Sequence, residues 1–355
     1  MKIVCAMSGG VDSSIAAALL VEAGHEVLGM TMRLYDASAR GRAGSCCSPA
    51  EIDQAREVCA QLGIGHWVVD ERERFAAAVI EPFADDYAAG RTPNPCTRCN
   101  QSVKFAPLLT RARALGAERL ATGHYARHEH GRLLRACDAS KDQSYFLFAM
   151  GADALAQTLF PLGTWTKDEV RAKATALGLP NADAPDSQEL CFVPDGDHGA
   201  VVQSRLAARG LATDMLAPGP VVDVDGRVLG RHDGIHRVTV GQRRGLHVPG
   251  TERRYVLRVV PESRTVVVGE ANDAALTRLQ VGELQRFALV DGEHRLLVQV
   301  RHRGQATPAR VWVEGAQARV EFDAAQPGVA PGQAAVFYDD DAVVGGGWIS
   351  AGSQR

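Results

Sequence analysis

From residue 2 to roughly residue 195 the chain alternates short β-branched apolar runs with stretches of helical period. No other feature restricts its fold as strongly. Residues 2–7 (KIVCAM) read as a strand, 13–23 as a helix stopped by Gly24, and 25–34 as a second strand. A helix over 49–62 ends at Gly63, a third strand covers 66–69, and helices follow over 73–89 and 105–115. A fourth strand covers 119–122, and T-K-D-E at 166–169 is a capping box opening a helix that ends near Gly178 and Pro180. Strands joined by crossover helices require a parallel sheet covered on both faces, so the expected fold class is α/β with a Rossmann-like sheet.

Past about residue 195 helical periodicity fades, and short alternating stretches take over: RTVVVGE, RLLVQVRHR, ARVWVEG, ARVEFD and QAAVFYD. Gly and Pro punctuate them closely, the pattern of small antiparallel sheets or a barrel. The expected domains are 1–196 (α/β), 197–268 (a small β-rich middle domain) and 269–355 (a C-terminal β-barrel). A chain of 355 residues fits such a division.

Hydrophobic residues at 46% and charged residues at 23% exclude wholesale disorder. No apolar run approaches the roughly 20 residues that span a bilayer, so no membrane association is expected. The first apolar segment follows Met1 directly, with no signal-peptide pattern, and the expectation is a cytoplasmic protein. The net charge of −3 is unevenly spread: between Arg227 and Arg310 stand fifteen Arg, no Lys and eight acidic residues. His232, His236, His247, His294 and His302 lie in the same stretch. This segment either faces phosphates or is a solvated surface in a chain where Arg outnumbers Lys 34 to 5.

Ser8-Gly9-Gly10-Val11-Asp12-Ser13 joins the first strand to the first helix. Its glycines allow a sharp turn and close backbone approach, and the helix start offers unpaired N–H groups and a positive dipole end. That suits a pyrophosphate. No Gly-Lys-Ser/Thr follows, so it is not a Walker A loop, nor is it G-x-G-x-x-G. Asp12 beside a phosphate needs an intervening cation, which points to Mg²⁺.

Eight cysteines are too sparse for a disulfide scaffold. Cys5 in a strand and Cys59 in a helix read as core packing, and Cys137 and the Cys46-Cys47 pair carry no motif. Cys96-x-x-Cys99 suits a metal clip or a redox pair as well as a single nucleophile. Cys191 sits between Leu190 and Phe192, where core burial would also explain it.

Further motifs are T-P-N-P-C-T-R-C-N (92–100), A-T-G-H-Y (121–125), K-D-Q-S-Y-F-L (141–147), D-S-Q-E-L-C-F (186–192), G-Q-R-R-G-L (241–246) and P-G-Q-A-A-V-F-Y (331–338). With the S-G-G-V-D-S loop they resemble, over essentially the whole length, the bacterial tRNA-specific 2-thiouridylases of the PP-loop ATP pyrophosphatase superfamily. That resemblance implies ATP-dependent 2-thiolation of a wobble uridine: adenylation of the C2 oxygen, then sulfur transfer from a cysteine persulfide. The chemistry is coherent, since the oxygen needs a leaving group and sulfur needs a nucleophilic carrier. The resemblance puts the nucleophile on Cys99 and the persulfide on Cys191, with a Cys99–Cys191 disulfide alternating during turnover. It places ATP along Ala6, Met7, Ser8, Gly9, Gly10, Val11, Asp12 and Ser13, with Met32 and Gly123 enclosing the adenine. Asn94, Pro95 and Cys96 would border the flipped base. His124, Lys141, Asp142, Gln143, Arg301, His302 and Gln333 would contact tRNA, with Arg243 and Arg244 as further phosphate contacts. Arg301 and Arg303 alternate on a predicted strand and would share one face.

The implied partners are tRNA and a sulfur-relay protein or cysteine desulfurase. Three readings compete. Cys96, Cys99 and Cys191 could hold an iron–sulfur cluster instead of handling a persulfide. A PP-loop ligase could act on a small molecule, or a silent tRNA-binding protein could retain the scaffold.

Overall fold

The computed structural model describes residues 1–35, 49–185, 190–193, 196–211, 214–246, 248 and 253–353. The 36–48 segment with Cys46-Cys47, the D-S-Q-E half of the 186–192 motif and His247 lie outside the described residues. The chain forms two compact units. One comprises Met1–Val79, Cys96–Gly196 and Asp341–Val343; the other comprises Ile80–Pro95, Asp197–Asp340 and Val344–Arg355.

In the first unit the strands are β1 (Lys2–Ala6), β2 (Glu26–Arg33), β3 (Gly65–Asp70), β4 (Arg119–Thr122), a hairpin of β5 (Arg127–Glu129) and β6 (Arg132–Leu134), and β7 (Thr158–Leu159). A parallel sheet runs β3-β2-β1-β4-β7. Ile3, Val4 and Cys5 are fully buried, as an unbroken apolar run in a central parallel strand requires. Helix α1 (Val11–Glu22) buries Ile15, Ala16, Ala17 and Leu20 in the same core, and α2 (Pro49–Gln61) adds Ala55, Val58 and Cys59. Burial pushes the Cys5 thiol pKa far up and that of Cys59 up to about 11, which keeps both inert, as expected of core cysteines. Ala6 lies opposite Met30 on one side and Thr122 on the other, so the carboxyl ends of β1, β2 and β4 share one rim of the sheet. Ligands gather at such a rim.

The capping box is present. Thr166 Oγ1 accepts from Glu169 N at 3.3 Å, and Glu169 Oε2 accepts from Thr166 N at 2.7 Å. The helix expected over 105–115 starts earlier. Pro95–Cys99 is already helical and passes through a π-helical turn (Asn100–Lys104) into Phe105–Ala114.

One division of the compact units falls between Gly196 and Asp197, and two short segments depart from chain order. Residues 80–95 join the second unit because their helix (Glu81–Ala88) packs there. The Tyr87 ring meets His198 at 4.7 Å between centroids, and Arg209 pairs with Asp85 at 2.7 Å and Glu81 at 3.1 Å. Conversely, Ala342 and Val343 pair with Leu134 and Leu133 of β6 in the first unit.

The second unit holds two β-structures. Strands β8 (Gly219–Val222), β9 (Val228–His232), β10 (Tyr255–Val260) and β11 (Thr265–Gly269) form one sheet in the order β10-β11-β8-β9. Its core includes Val221, Ile235, Val256, Val266 and Val268. Strands β12 (Ala275–Arg286), β13 (Gly292–Gln299), β14 (Thr307–Glu314), β15 (Gln317–Pro327), β16 (Ala334–Asp339) and β17 (Ala342–Ser353) follow in the order β12-β15-β14-β13-β16-β17. Pairing of β17 with β12 closes this six-stranded barrel. Along β14, Ala309, Val311 and Val313 point inward while Arg310 and Glu314 face water, the strict alternation a barrel wall needs.

Two histidines of the Arg-rich stretch are not phosphate-facing. His232 and His236 are buried, and His232 Nε2 meets Arg264 O at 2.8 Å. Desolvation, with Arg237 beside it, lowers the His236 pKa to about 4. The ring is therefore neutral when folded, whereas the unfolded chain takes up a proton near pH 6.5. Above pH 6.5 the group costs nothing. As pH falls from 6.5 to 4 the unfolded state gains the proton first, and stability drops by about 3 kcal/mol. Urea unfolding across that window is expected to show this slope in the native chain and a flatter one in His236→Leu.

Candidate active site

The loop after β1 folds into a cradle through its own hydroxyls. Ser13 Oγ donates to Gly10 O at 2.9 Å and accepts from Ser8 N at 3.1 Å. Gly10 N donates to Ser8 Oγ at 3.3 Å, and Gly9 adopts φ +84°, which a turn of this tightness needs. Gly10 caps α1 without any side-chain hydrogen bond, which leaves the first-turn amides facing outward as an anion site requires. Gly123, just past β4, packs on that same turn: a Cβ there would stand 2.7 Å from Ser13 N, so no side chain is tolerated. Ala6, Ser8 through Ser13 and Gly123 therefore converge on one rim. Met32 belongs to β2 at the same end of the sheet and is buried. Met7 is also buried, its N–H bonded to Met30 O and its carbonyl accepting from Thr31 Oγ1 at 2.8 Å.

Two residues of this site have no sequence signal. Lys167, buried at the start of its helix, reaches back across 155 positions and places Nζ 2.6 Å from Asp12 Oδ1. Tyr125 OH donates to the same oxygen at 2.8 Å. The cation beside Asp12 in this structure is thus an ammonium. Asn181, also buried, donates from Nδ2 to Gly9 O at 2.7 Å and Ser14 Oγ at 2.9 Å, bracing the loop from below.

Cys99 ends the Pro95–Cys99 helix and is buried at 7% exposure, whereas Cys96 is exposed. The π-helical turn begins at the next residue, Asn100, whose Nδ2 donates to Phe146 O at 3.0 Å. Such turns recur at functional sites because they re-aim neighbouring side chains. Cys191 is half-buried in a turn anchored by Phe192, which meets Phe75 edge-on at 5.7 Å. Among the described residues no three His, Cys, Asp or Glu side chains stand where they could share a metal ion, so Cys96, Cys99 and Cys191 do not offer a ready cluster seat.

The chain matches a family model described as a tRNA methyl transferase HUP domain over residues 1–195. A PRC-barrel domain model matches 212–270 and an aminomethyltransferase β-barrel domain model 280–349. The relative from Rhodospirillum centenum, named tRNA-specific 2-thiouridylase MnmA, is 48% identical over 98% of this chain and 91% of its own length. Relatives of the same name from Acidothermus cellulolyticus and Solibacter usitatus are 48% and 46% identical, over 99% and 98% of this chain and 98% of each relative. The chain belongs to the tRNA-specific 2-thiouridylase family. Among solved structures, a 4-thiouridine synthetase–RNA complex with bound ATP aligns with 58% of this chain and 50% of that one, at 16% identity and a TM-score of 0.38.

Several positions that the 2-thiouridylase resemblance assigns to tRNA do structural work here. Asp142 accepts from Ala136 N, Ser144 N, Ser144 Oγ and Arg135 at 2.9–3.1 Å, tying down its own loop. Gln143 Oε1 accepts from Tyr125 N at 3.0 Å, and Lys141 is half-buried beside them. His124 lies between Phe105 and Phe160, with Nδ1 2.8 Å from Thr122 Oγ1. Burial, with Lys104 nearby, holds its pKa well below the ordinary histidine range. Arg301 and Arg303 do not share a strand face. Strand β13 stops at Gln299, whose Nε2 donates to Arg301 O at 3.1 Å and His302 O at 2.8 Å, turning both arginines and His302 into an exposed loop. Arg243 and Arg244 are exposed as well.

Proposed function

We propose that this chain is a tRNA-uridine 2-sulfurtransferase that spends ATP to replace the C2 oxygen of the wobble uridine by sulfur. One observation carries the reading: relatives named 2-thiouridylases are 46–49% identical from end to end, and the chain keeps the loop and both motif cysteines that this chemistry needs. The methyl transferase wording of one domain model names no group here that would use an α–β phosphate cleavage loop.

ATP would lie along Ala6–Ser13 with its phosphates on the α1 amides, adenine between Met32 and Gly123, and Mg²⁺ held with help from Asp12. Bound ATP supplies the leaving group, since the C2 oxygen departs as part of AMP after pyrophosphate is lost. Asn94, Pro95 and Cys96 would frame the base, which is cheap to extrude from an anticodon loop. The outer sulfur of a Cys191 persulfide is transferred to C2. As it leaves, the Cys99 thiolate takes over the inner sulfur and a Cys99–Cys191 disulfide forms, which an external dithiol reduces before the next cycle. A relay protein or cysteine desulfurase would reload Cys191, in a cytoplasm that keeps such thiols reduced. Lys141, the Arg301–His302 loop and the Arg-rich segment would take tRNA phosphates.

The test is incubation with ATP, Mg²⁺, a persulfide donor and unmodified tRNA. Pyrophosphate release that depends on tRNA, with one added sulfur per tRNA by nucleoside mass spectrometry, is the expected outcome. Pyrophosphate released without tRNA would favour a small-molecule ligase, and none at all a silent RNA-binding protein.

A further inference from the structure

Asn181 follows a helix stop, and no motif lends it a chemical role. Within the first unit it is firmly placed. Beyond helix Lys167–Ala176, Leu179 N donates to Ala174 O at 3.0 Å and Ala182 N to Leu179 O at 3.1 Å. Arg171 of the same helix donates to Ala182 O at 3.3 Å and to Ala184 O at 3.2 Å, which holds the turn around Asn181. The residue is 1% exposed, and its Oδ1 has no partner among the described residues. A buried acceptor without a donor destabilises a fold, so an apolar residue would fill this corner better. What the carboxamide contributes is its two hydrogens.

Each hydrogen sets one peptide of the glycine loop. Nδ2 donates to Gly9 O at 2.7 Å. The Gly9–Gly10 peptide is trans, so its N–H points opposite to its C=O. With the carbonyl drawn toward the buried amide, Gly10 N–H faces the exposed side, where Ser8 Oγ lies at 3.3 Å. The second hydrogen goes to Ser14 Oγ at 2.9 Å. That hydroxyl passes its own proton to Gly10 O at 3.1 Å, so the Gly10–Val11 peptide is held in turn with Val11 N–H pointing away. Gly9 also rests on the first turn of α2, where a Cβ would stand 2.5 Å from Glu51 O. Two amides at the start of α1, which has no side-chain cap, are thus aimed before any ligand arrives.

We infer that Asn181 is a positioning residue for the nucleotide's phosphates: its carboxamide turns the Gly9–Gly10 and Gly10–Val11 peptides so that both N–H groups face the polyphosphate. The inference rests on the proposed binding of ATP at this loop. Its test uses the full-length chain without tRNA and measures the Kd of ATP with Mg²⁺, and of adenosine, by isothermal titration. Asn181→Asp keeps the size and replaces both donors by a carboxylate facing Gly9 O. Asn181→Leu keeps the branched shape and has neither the donors nor the orphan oxygen. Each is expected to raise the ATP Kd at least about tenfold and to leave the adenosine Kd within about twofold of native, because adenosine has no phosphate to meet the misaimed amides. A role in packing alone would move both ligands together or neither. Buried Cys5 and Cys59 gauge folding and should resist iodoacetamide; if they do not in Asn181→Asp, Asn181→Leu is measured alone, with the same expectations. An unchanged ATP Kd in a folded variant, or equal weakening of ATP and adenosine, overturns the inference. Binding is read without catalysis, so a native chain that bound ATP but never thiolated tRNA would sink the proposed function and leave this inference to its own readout. A native chain that bound no ATP would overturn both.

Discussion

Cys99→Ser is expected to cut tRNA thiolation by about 1000-fold or more while leaving tRNA affinity within about twofold of native. The change deletes one reactive atom at a buried position and few contacts, so binding and folding should survive. A serine hydroxyl does not ionise near neutral pH and attacks sulfur poorly, so the persulfide sulfur cannot be released by this route. Because the loop over ATP is untouched, pyrophosphate release should continue for at least one turnover, and AMP-linked tRNA should accumulate. Gel-shift titration, a pyrophosphate assay and nucleoside mass spectrometry separate these quantities. Native-like turnover in the variant would remove Cys99 from the mechanism. Loss of tRNA binding would assign it a structural role instead.

Lys167→Met should be nearly as damaging, for an electrostatic reason. The Asp12 carboxylate sits in the first turn of the helix whose amides face the phosphates, and the 2.6 Å contact with Lys167 offsets its charge. Removing the ammonium leaves a partly buried anion beside an incoming polyanion, a loss of about 2–3 kcal/mol and so about 30- to 150-fold in kcat/KM for ATP. Lys167 and Asp12 then form one unit. The double variant Asp12→Asn, Lys167→Met should lose no more than about the larger of the two single effects, because the repulsion disappears with the carboxylate. Pyrophosphate release at varied ATP supplies the cycle. Additive losses, or an ATP KM in Lys167→Met within about twofold of native, would show that the pair does not serve the nucleotide.

Much of the first unit was legible because local and global signals agree there. Residues 119–122 have the bounds of β4, and T-K-D-E caps its helix as written. The glycine loop was legible for the same reason, since a strand, two glycines and a helix start suffice to draw it. What escaped depends on distance in the chain. Lys167 was readable only as a letter of the capping box, and nothing in the sequence points from it to Asp12. Asn181 likewise acts on Gly9 across 172 positions. Pro at the first helical position is a start signal, and the helix carrying Cys99 begins at Pro95, ahead of the helix expected over 105–115. Strands β12 and β17 were also missed: V-G-G-G-W-I-S of β17 has little β propensity, and pairing with β15 and β16 as well as with each other recruits the two strands. Arg301 and Arg303 fit a strand pattern until Gln299 folds the chain over. The histidines misled because composition does not distinguish a basic surface from a neutral imidazole packed in a core.

The exchange of short segments between the two units has a consequence for how the molecule is made. Ala342 and Val343, which pair with Leu133 and Leu134, leave the ribosome some two hundred residues after their partners. Until they arrive, β6 lacks that neighbour, and the stretch 80–95 waits for helix His198–Ala208 and the turn at Pro331 before it has anything to rest on. Neither half can be completed vectorially, so a nascent chain stalled near residue 196 should be a substrate for chaperones and proteases rather than a finished nucleotide-binding domain.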